Sequence, residues 1–368
     1  MQNQILTVRQ AARLLQVDPN TIYRWARGGK FPASKIGKEW RVLHSDVINF
    51  VESYKKKNQF LSGDQEAELI TALVGRREIP LKFEYLGNGA DRYIAISAPE
   101  VAGGSEIEMM FKHKERFSNF LKGKKVNLLD VGPGDGKKAA FFISHIAKDV
   151  SSYAGIDIST RMLDLAGQTI QIGHPEITYE KFIDDFEQGN ISKTTYYLNR
   201  RYQQNNLILF IGNTVGNLSD AHRVLINLRD GMSAEDLLLV GLAFFNPKNI
   251  PIASYNEKAV DLLWSAPEKI GIERKDAKIF WTYNKKLRQL ECQLEFTQNW
   301  SKIFRGNLIR FGRGQRVRLA ISRRFTKDDI FELFAKAGFK IEIFVHDRDN
   351  ALVLCRPHSW ERQIPLAK

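Results

Sequence analysis

A short glycine-rich turn between an apolar strand and a helix constrains this chain more than any other feature. Val126–Val131 reads VNLLDV and leads directly into Gly132-Pro133-Gly134-Asp135-Gly136, and the segment KKAAFFISHIA that follows is typical of a helix. Strand, glycine turn and helix in this order predict the opening of a doubly wound α/β domain that binds a ligand at the turn. The turn is neither GxGxxG nor GxxxxGK[ST], which disfavours a dinucleotide site and a P-loop.

Further strand-like runs follow at the spacing of such a domain. Residues 153–158 form an apolar run with Asp157 near its end, 21 positions after Gly136. An acidic residue at the end of the second strand is suited to accept hydrogen bonds from a ribose diol. A third strand is expected to end near Asp185-Phe186, a fourth covers residues 206–211 before the loop GNTVGN, and a fifth covers residues 236–243. The sequence therefore predicts a Rossmann-like α/β domain with a nucleotide-containing cofactor.

Two stretches of this domain resemble known families. DVGPGDG is similar to the first motif of class I S-adenosylmethionine methyltransferases, and FIGNTVGNLSDAHRVLINLRDGM with RVRLAISRRFTKDDIFELFAKAGF resembles the histidine Nα-methyltransferase family of ergothioneine biosynthesis. The resemblance covers roughly residues 79–357 and implies S-adenosylmethionine as cofactor. It implies cofactor contacts by Tyr85, Gly132, Gly134, Gly136, Asp157, Asp185 and Phe186, and substrate contacts by Asn217, Tyr255 and Ser322.

Two departures from the family's pattern bear on the acceptor. The family's imidazole-recognising glutamate corresponds to Ala320, and ISAPEVAGGSEIE lacks the tyrosine expected there, so that Tyr93 is the nearest. Without that carboxylate a buried imidazole N–H would stay unpaired, which costs about 1–3 kcal/mol. The resemblance thus implies N-methylation of an amino acid or related small amine, and histidine itself is not favoured. No dedicated base is identifiable, so the catalytic residues remain unassigned.

The N-terminal segment differs in charge and pattern. Residues 1–58 contain 11 Lys/Arg and 4 Asp/Glu, a net charge of +7, whereas the whole chain carries +13. Thr7 is expected to cap a helix that buries Ala11, Leu14 and Leu15, and Asp18-Pro19 starts a second helix that ends at Gly28-Gly29. A hairpin around Gly37-Lys38 and a third helix after Ser45 follow.

Residues 5–54 resemble the excisionase-type, MerR-like winged helix-turn-helix family, which implies DNA as a partner. Base or phosphate contacts are expected from Tyr23, Arg24, Arg27, Lys35, Lys38 and Arg41. A single module reads few base pairs, so useful affinity favours a homodimer. A basic module used for protein contacts is the alternative.

We expect three segments: the winged helix-turn-helix domain at 1–58, a helical linker and N-terminal methyltransferase segment at 59–110, and the methyltransferase domain at 111–368. The last contains a substrate-lid insertion around 265–322. The chain has no long apolar run and only two cysteines, which predicts a cytoplasmic protein without membrane spans, disulfides or a metal site.

Two other functions compete with that of a small-molecule methyltransferase. A transcription regulator whose methyltransferase fold senses S-adenosylmethionine or a metabolite without catalysis stays open. DNA methylation is disfavoured, because the loop after the fourth strand reads GNTVGN where amino-methylating DNA enzymes carry a Pro-Pro motif, and neither Cys292 nor Cys355 follows a proline.

Overall fold

The structure is a computed structural model that describes residues 4–48, 50, 61–96, 104–250, 252, 257–304 and 306–358. The chain divides into two compact units, Met1–Glu66 and Ala67–Lys368. Within the described ranges, none of the helices has the length and apolar character needed to cross a bilayer. Tyr255 lies outside the described residues.

The first unit is a winged helix-turn-helix. Its elements are β1 (Ile5–Thr7), α1 (Val8–Leu15), α2 (Pro19–Arg27), β2 (Ser34–Ile36), β3 (Glu39–Leu43) and a third helix, α3, described over residues 44–48. The three strands form one antiparallel sheet in the order β1-β3-β2.

Both helix starts follow the expected capping chemistry. The Thr7 hydroxyl accepts a hydrogen bond from the Gln10 N–H while the Gln10 side chain caps Thr7, and Asp18 accepts from the N–H of Asn20. The predicted inner face of α1 was wrong at Leu14, which is 54% exposed. Ala11 is buried as predicted, together with Val8 and Ala12, and Leu15 packs partly buried against the same cluster.

A mixed seven-stranded sheet organises the second unit, in the order β14-β15-β8-β7-β4-β5-β6. Strands β4 to β8 are mutually parallel, and β15 runs antiparallel to β8 and β14 antiparallel to β15. The strands are β4 (Val126–Val131), β5 (Val150–Asp157), β6 (Thr178–Ile183), β7 (Asn205–Phe210), β8 (Leu237–Ala243), β14 (Phe339–His346) and β15 (Asn350–Pro357). The first strand in sequence, β4, lies between β5 and β7, so the strand order reverses there.

Helices pack on both faces of this sheet. The helices that follow α3 along the chain are α4 (Gly63–Thr71), α5 (Gly89–Ile96), α6 (Gly104–Lys112), α7 (Lys114–Leu121), α8 (Lys137–His145), α9 (Thr160–Gly173), α10 (Ser192–Tyr202), α11 (Thr214–Asn217), α12 (Ala221–Asp230), α13 (Glu257–Leu263), α14 (Ser265–Ile270) and α15 (Lys327–Lys336). A π-helical turn, Ala72–Arg76, and a 3₁₀ helix, Leu81–Tyr85, precede α5. Phe117, Phe142 and Ile170 pack on one face of the sheet, while Leu198, Leu225 and Phe334 pack on the other.

An antiparallel insertion separates α14 from α15. Strands β9 (Ala277–Asn284), β10 (Gln289–Phe296) and β13 (Arg316–Arg323) form one sheet, and β11 (Trp300–Phe304) pairs with β12 (Asn307–Phe311) in a hairpin. Ser322 pairs with Leu290 and Ala320 with Cys292 across this sheet. Cys292 and Cys355 are both free and fully buried.

The start of α15 is stabilised by one carboxylate. Asp329 forms a capping box with Thr326 and accepts hydrogen bonds from the Arg288 guanidinium at 2.5 Å. Burial alone would raise the pKa of Asp329, but the bonds from Thr326 and Arg288 outweigh it and lower the pKa.

An Asp329→Asn variant is therefore expected to lower the free energy of unfolding by about 2 kcal/mol at neutral pH. Because the folded-state pKa is depressed, this contribution is present above the unfolded pKa of about 4 and disappears as pH falls through the lower, folded-state value. Urea unfolding at pH 7 and pH 3 measures it, with the exposed neighbour Asp328→Asn as control. Equal losses for both variants at pH 7 would contradict this assignment.

Candidate functional site

The glycine turn lies at the carboxyl end of β4, where the strand order reverses. Gly132, Gly134 and Gly136 have φ angles of +67°, +59° and +76°. A Cβ atom on Gly136 would lie 2.8 Å from the Cα atom of Ala166 in α9. Glycine is therefore required both for the backbone conformation and for the contact with α9. The turn leaves the N-terminus of α8 facing the crevice at the end of the strands.

Asp157 lies beside this turn at the end of β5. It is half-buried, and its Oδ1 accepts a hydrogen bond of 2.7 Å from the backbone N–H of Ser159. Burial raises the pKa of Asp157 to about 7, although backbone N–H groups counteract the shift. A half-buried carboxylate held by backbone donors, with capacity to accept more bonds, suits a pair of hydroxyl groups.

Two tyrosines in contact with each other lie near the glycine turn. The rings of Tyr85 and Tyr93 meet edge to face with centroids 5.5 Å apart. A Cβ atom on Gly134 would lie 3.2 Å from the Tyr93 hydroxyl oxygen. Burial raises the pKa of both phenols, so they are neutral, and neither has a hydrogen-bond partner among the residues that the structure describes. Tyr93 thus adds a hydroxyl close to the glycine turn.

The residues after β6 occupy the edge of the same crevice. Phe186 meets Phe210 edge to face at 5.6 Å, and its ring lies 3.7 Å from the position of a Cβ on Gly132. The Asp185 carboxylate accepts a 2.5 Å hydrogen bond from Lys82, which also pairs with Glu68 at 2.7 Å. Phe186 therefore borders the turn, while an ion pair fixes Asp185.

Three charged residues of the crevice, Glu106, Lys138 and Asp130, were not predicted from the sequence. Glu106 is buried and accepts hydrogen bonds from the Gly212 N–H at 3.0 Å and from Lys138 at 2.6 Å. Asp130 is buried at 2% exposure, and Tyr153 donates to its Oδ2 at 3.0 Å while its Oδ1 has no partner within the described chain. Burial raises the pKa of Asp130 to about 7.

Two of the residues predicted to bind the methyl acceptor are described: Asn217 lies after β7, and Ser322 lies at the end of β13. Asn213 donates to the Ser322 hydroxyl at 3.4 Å and accepts from the Ala243 N–H at 2.8 Å, which connects the loop after β7 to the insertion. Ser322 is buried, and Asn217 ends α11 with a half-buried side chain. Ala320 is 8% exposed and places no polar group beside Ser322.

The groups that line the crevice fit S-adenosylmethionine. The crevice combines a glycine turn that side chains would obstruct, the half-buried carboxylate of Asp157, the phenol of Tyr93 and the orphan Oδ1 of Asp130. Lys138 supplies a cation at the start of α8, where it already meets Glu106. These groups match a ligand that carries ribose hydroxyls, a carboxylate and positive charge.

In the first unit, the predicted DNA contacts lie in two places. Tyr23, Arg24 and Arg27 are exposed on α2, as expected for a recognition helix. Lys35 and Lys38 are exposed on the hairpin. Arg41, by contrast, forms an ion pair with Glu39, and the strand alternation places it on the opposite face of the sheet from Lys35.

Comparison with known proteins places both units. Residues 66–357 match the family described as histidine-specific, S-adenosylmethionine-dependent methyltransferases, and residues 5–55 match a helix-turn-helix domain. The histidine N-alpha-methyltransferase of Mycolicibacterium smegmatis is 23% identical over 210 residues, which cover 54% of this chain and 63% of that protein. A Mycobacterium tuberculosis protein described as DNA-binding is 36% identical over 50 residues, 14% of this chain and 64% of that protein. The chain thus spans less than two thirds of the length of both relatives.

Among solved structures, magnesium protoporphyrin IX methyltransferase from Synechocystis with bound S-adenosylhomocysteine has a TM-score of 0.41 and 13% identity, covering 75% of this chain and 97% of that chain. The CurJ carbon methyltransferase has a TM-score of 0.41 and 12% identity, covering 97% and 85%.

Proposed function

Because the chain belongs to the family of histidine-specific, S-adenosylmethionine-dependent methyltransferases, we propose that it transfers a methyl group to the nitrogen of an amino acid or related small amine. The observation that carries the proposal is the crevice at the strand reversal, where the glycine turn, Asp157 and the tyrosine pair come together.

Each group in the crevice has a distinct role in this proposal. Asp157 accepts the ribose hydroxyls, Phe186 packs on the adenine, and the open α8 N-terminus with Lys138 holds the carboxylate. Asp130 and the phenol of Tyr93 face the positive end of the ligand. S-adenosylmethionine, when bound, supplies the electrophilic methyl group.

The loop after β7 and the end of β13 are proposed to hold the acceptor. Asn217 and Ser322 offer amide and hydroxyl groups, and Tyr255 is assigned to the same site by family resemblance alone. Their task is to keep the amine in line with the methyl group, because alignment accounts for much of such a rate enhancement. The ammonium must first lose a proton, and water at the open crevice is the proposed recipient, since no side chain is identified as a base.

Ala320 is the basis for proposing an acceptor other than histidine. A methyl side chain beside Ser322 provides no acceptor for an imidazole N–H. A methyl acceptor with a less polar side chain would place no unpaired N–H donor beside Ala320.

For the first unit we propose DNA binding through α2. This helix has the right size to enter a major groove. Its exposed face carries Tyr23, Arg24 and Arg27, and the exposed lysines of the hairpin add positive charge. DNA binding would direct or regulate the methyltransferase.

The experiment that tests the proposal is a turnover assay. Full-length protein is incubated with S-adenosylmethionine and separate pools of amino acids, other small amines and duplex DNA, and S-adenosylhomocysteine is quantified. Product formation with one of the amine pools supports the proposal. Tight cofactor binding without turnover on any pool would indicate a sensor, and turnover on DNA alone would overturn the acceptor class.

A Tyr93→Phe variant tests the contribution of the Tyr93 hydroxyl to cofactor binding. The ring contact with Tyr85 is preserved while the hydroxyl is lost, so we expect affinity for S-adenosylhomocysteine to fall by roughly three- to tenfold. Calorimetry measures this, with Tyr196→Phe, 68% exposed, as the matched control. An unchanged affinity in Tyr93→Phe would remove its hydroxyl from the site.

A further inference from the structure

The sheet of the first unit has an outer face that packs on nothing in the described part of that unit. Ile5 pairs with Leu43, and Ile36 pairs with Glu39 across the strands. Cross-strand partners share a face, as do alternate residues along a strand, so Ile5, Ile36, Glu39, Arg41 and Leu43 all lie on one side. We call these five residues the outer wing face.

The outer wing face exposes apolar side chains. Ile5 and Ile36 are each 59% exposed and Leu43 is 42% exposed, whereas Leu6 and Val42 on the inner face are 4% and 2% exposed. Three exposed aliphatic residues on so small a sheet are typical of a contact surface rather than of a solvated one.

The charges on this face are balanced. Arg41 pairs with Glu39 on the same face, so the face carries no net positive charge and is poorly suited to a phosphate backbone. A surface with one cation, one anion and flanking aliphatic groups is complementary to itself. A two-fold axis would place Arg41 of one copy against Glu39 of the other and bring the aliphatic residues together.

We propose that the outer wing face is where a second copy of this chain docks through its helix-turn-helix unit. The face is smaller than the roughly 800 Å² per partner of a stable interface. The pairing is therefore weak in free solution and stronger on DNA, where two bound units are held at high effective concentration. This goes beyond the proposed methyl transfer and depends on the proposed DNA binding only for its enhancement by DNA.

Charge reversal tests the pairing on the full chain. Glu39→Arg and Arg41→Glu each place like charges across the proposed axis, so each variant alone should self-associate at least tenfold more weakly than the native chain. An equimolar mixture should recover association, because one partner then presents two cations and the other two anions. Glu332→Arg, which alters an exposed ion pair on α15, is the control.

Sedimentation velocity measures association without DNA, and the cooperativity of binding to a duplex with two adjacent sites measures it with DNA. Recovery in the mixture also shows that the variants fold. The proposal is overturned if the native chain stays monomeric in both measurements, or if both variants associate as the native chain does. Loss of DNA affinity in Arg41→Glu with unchanged self-association would instead assign Arg41 to phosphate and overturn the pairing.

Discussion

An Asp157→Ala variant is expected to bind S-adenosylhomocysteine roughly 10- to 100-fold more weakly than the native chain. The carboxylate is the acceptor that we assign to both ribose hydroxyls, and it is fixed by the N–H of Ser159 at 2.7 Å. Its removal would leave those hydroxyls without a charged partner in a partly buried site. Calorimetry at pH 8 measures the loss, with Asp164→Ala on the exposed side of α9 as the control.

The affinity for S-adenosylhomocysteine is also expected to depend on pH through the Asp157 carboxylate. Burial raises the pKa of Asp157 to about 7, so protonation below that value removes the charged acceptor. Affinity of the native chain should therefore fall as pH is lowered from 8 to 6, and the slope should flatten in Asp157→Asn. A slope that remains in the variant reports other carboxyl groups such as Asp130 and Glu187, whose pKa values burial also raises to about 7. A pH-independent affinity in the native chain would contradict the assigned role of Asp157.

The second large effect is expected on the binding of duplex DNA by α2. Replacing Arg24 and Arg27 together by alanine should weaken binding of duplex DNA by roughly 10- to 1000-fold at physiological salt. Both side chains are exposed on α2, where each can reach a phosphate or a base edge. The plot of log K against log salt should lose about 0.9 from its slope for each lost phosphate contact.

A second double variant with the same change in charge distinguishes contacts made by α2 from an effect of the chain's net charge. Lys285→Ala with Lys286→Ala removes two exposed cations from the turn between β9 and β10. This control should leave affinity and slope nearly unchanged. If both double variants weaken binding equally, general charge and not α2 drives the interaction. If the native chain shows no salt-dependent DNA affinity, the first unit is a protein-contact module.

The local parts of the site could be predicted because each leaves a short signal. The glycine turn, the acid at the end of the second strand and the order of the parallel strands depend on residues close in sequence. The positive φ angles of Gly132, Gly134 and Gly136 agree with the backbone freedom on which the prediction depended. The capping residues Thr7 and Asp18 were predictable for the same reason.

The charged pairs of the crevice could not be predicted. Lys82 and Asp185 are 103 positions apart, and Glu106 and Lys138 are 32 apart, so no local pattern links them. Leu14 was misplaced because a helix of eight residues has several apolar positions, and tertiary packing decides which of them is buried. The ion pair of Arg41 depended on a strand register that the sequence left open.

The most direct test of the central claim follows the methyl group itself. Full-length protein and its Asp157→Ala variant are incubated with methyl-labelled S-adenosylmethionine and a cellular extract containing both small molecules and DNA. After separation by size, the label should appear on an amine in the small-molecule fraction with the native chain and fall at least tenfold with the variant. Label confined to DNA or protein, or cofactor that binds without releasing its methyl group, would contradict the account.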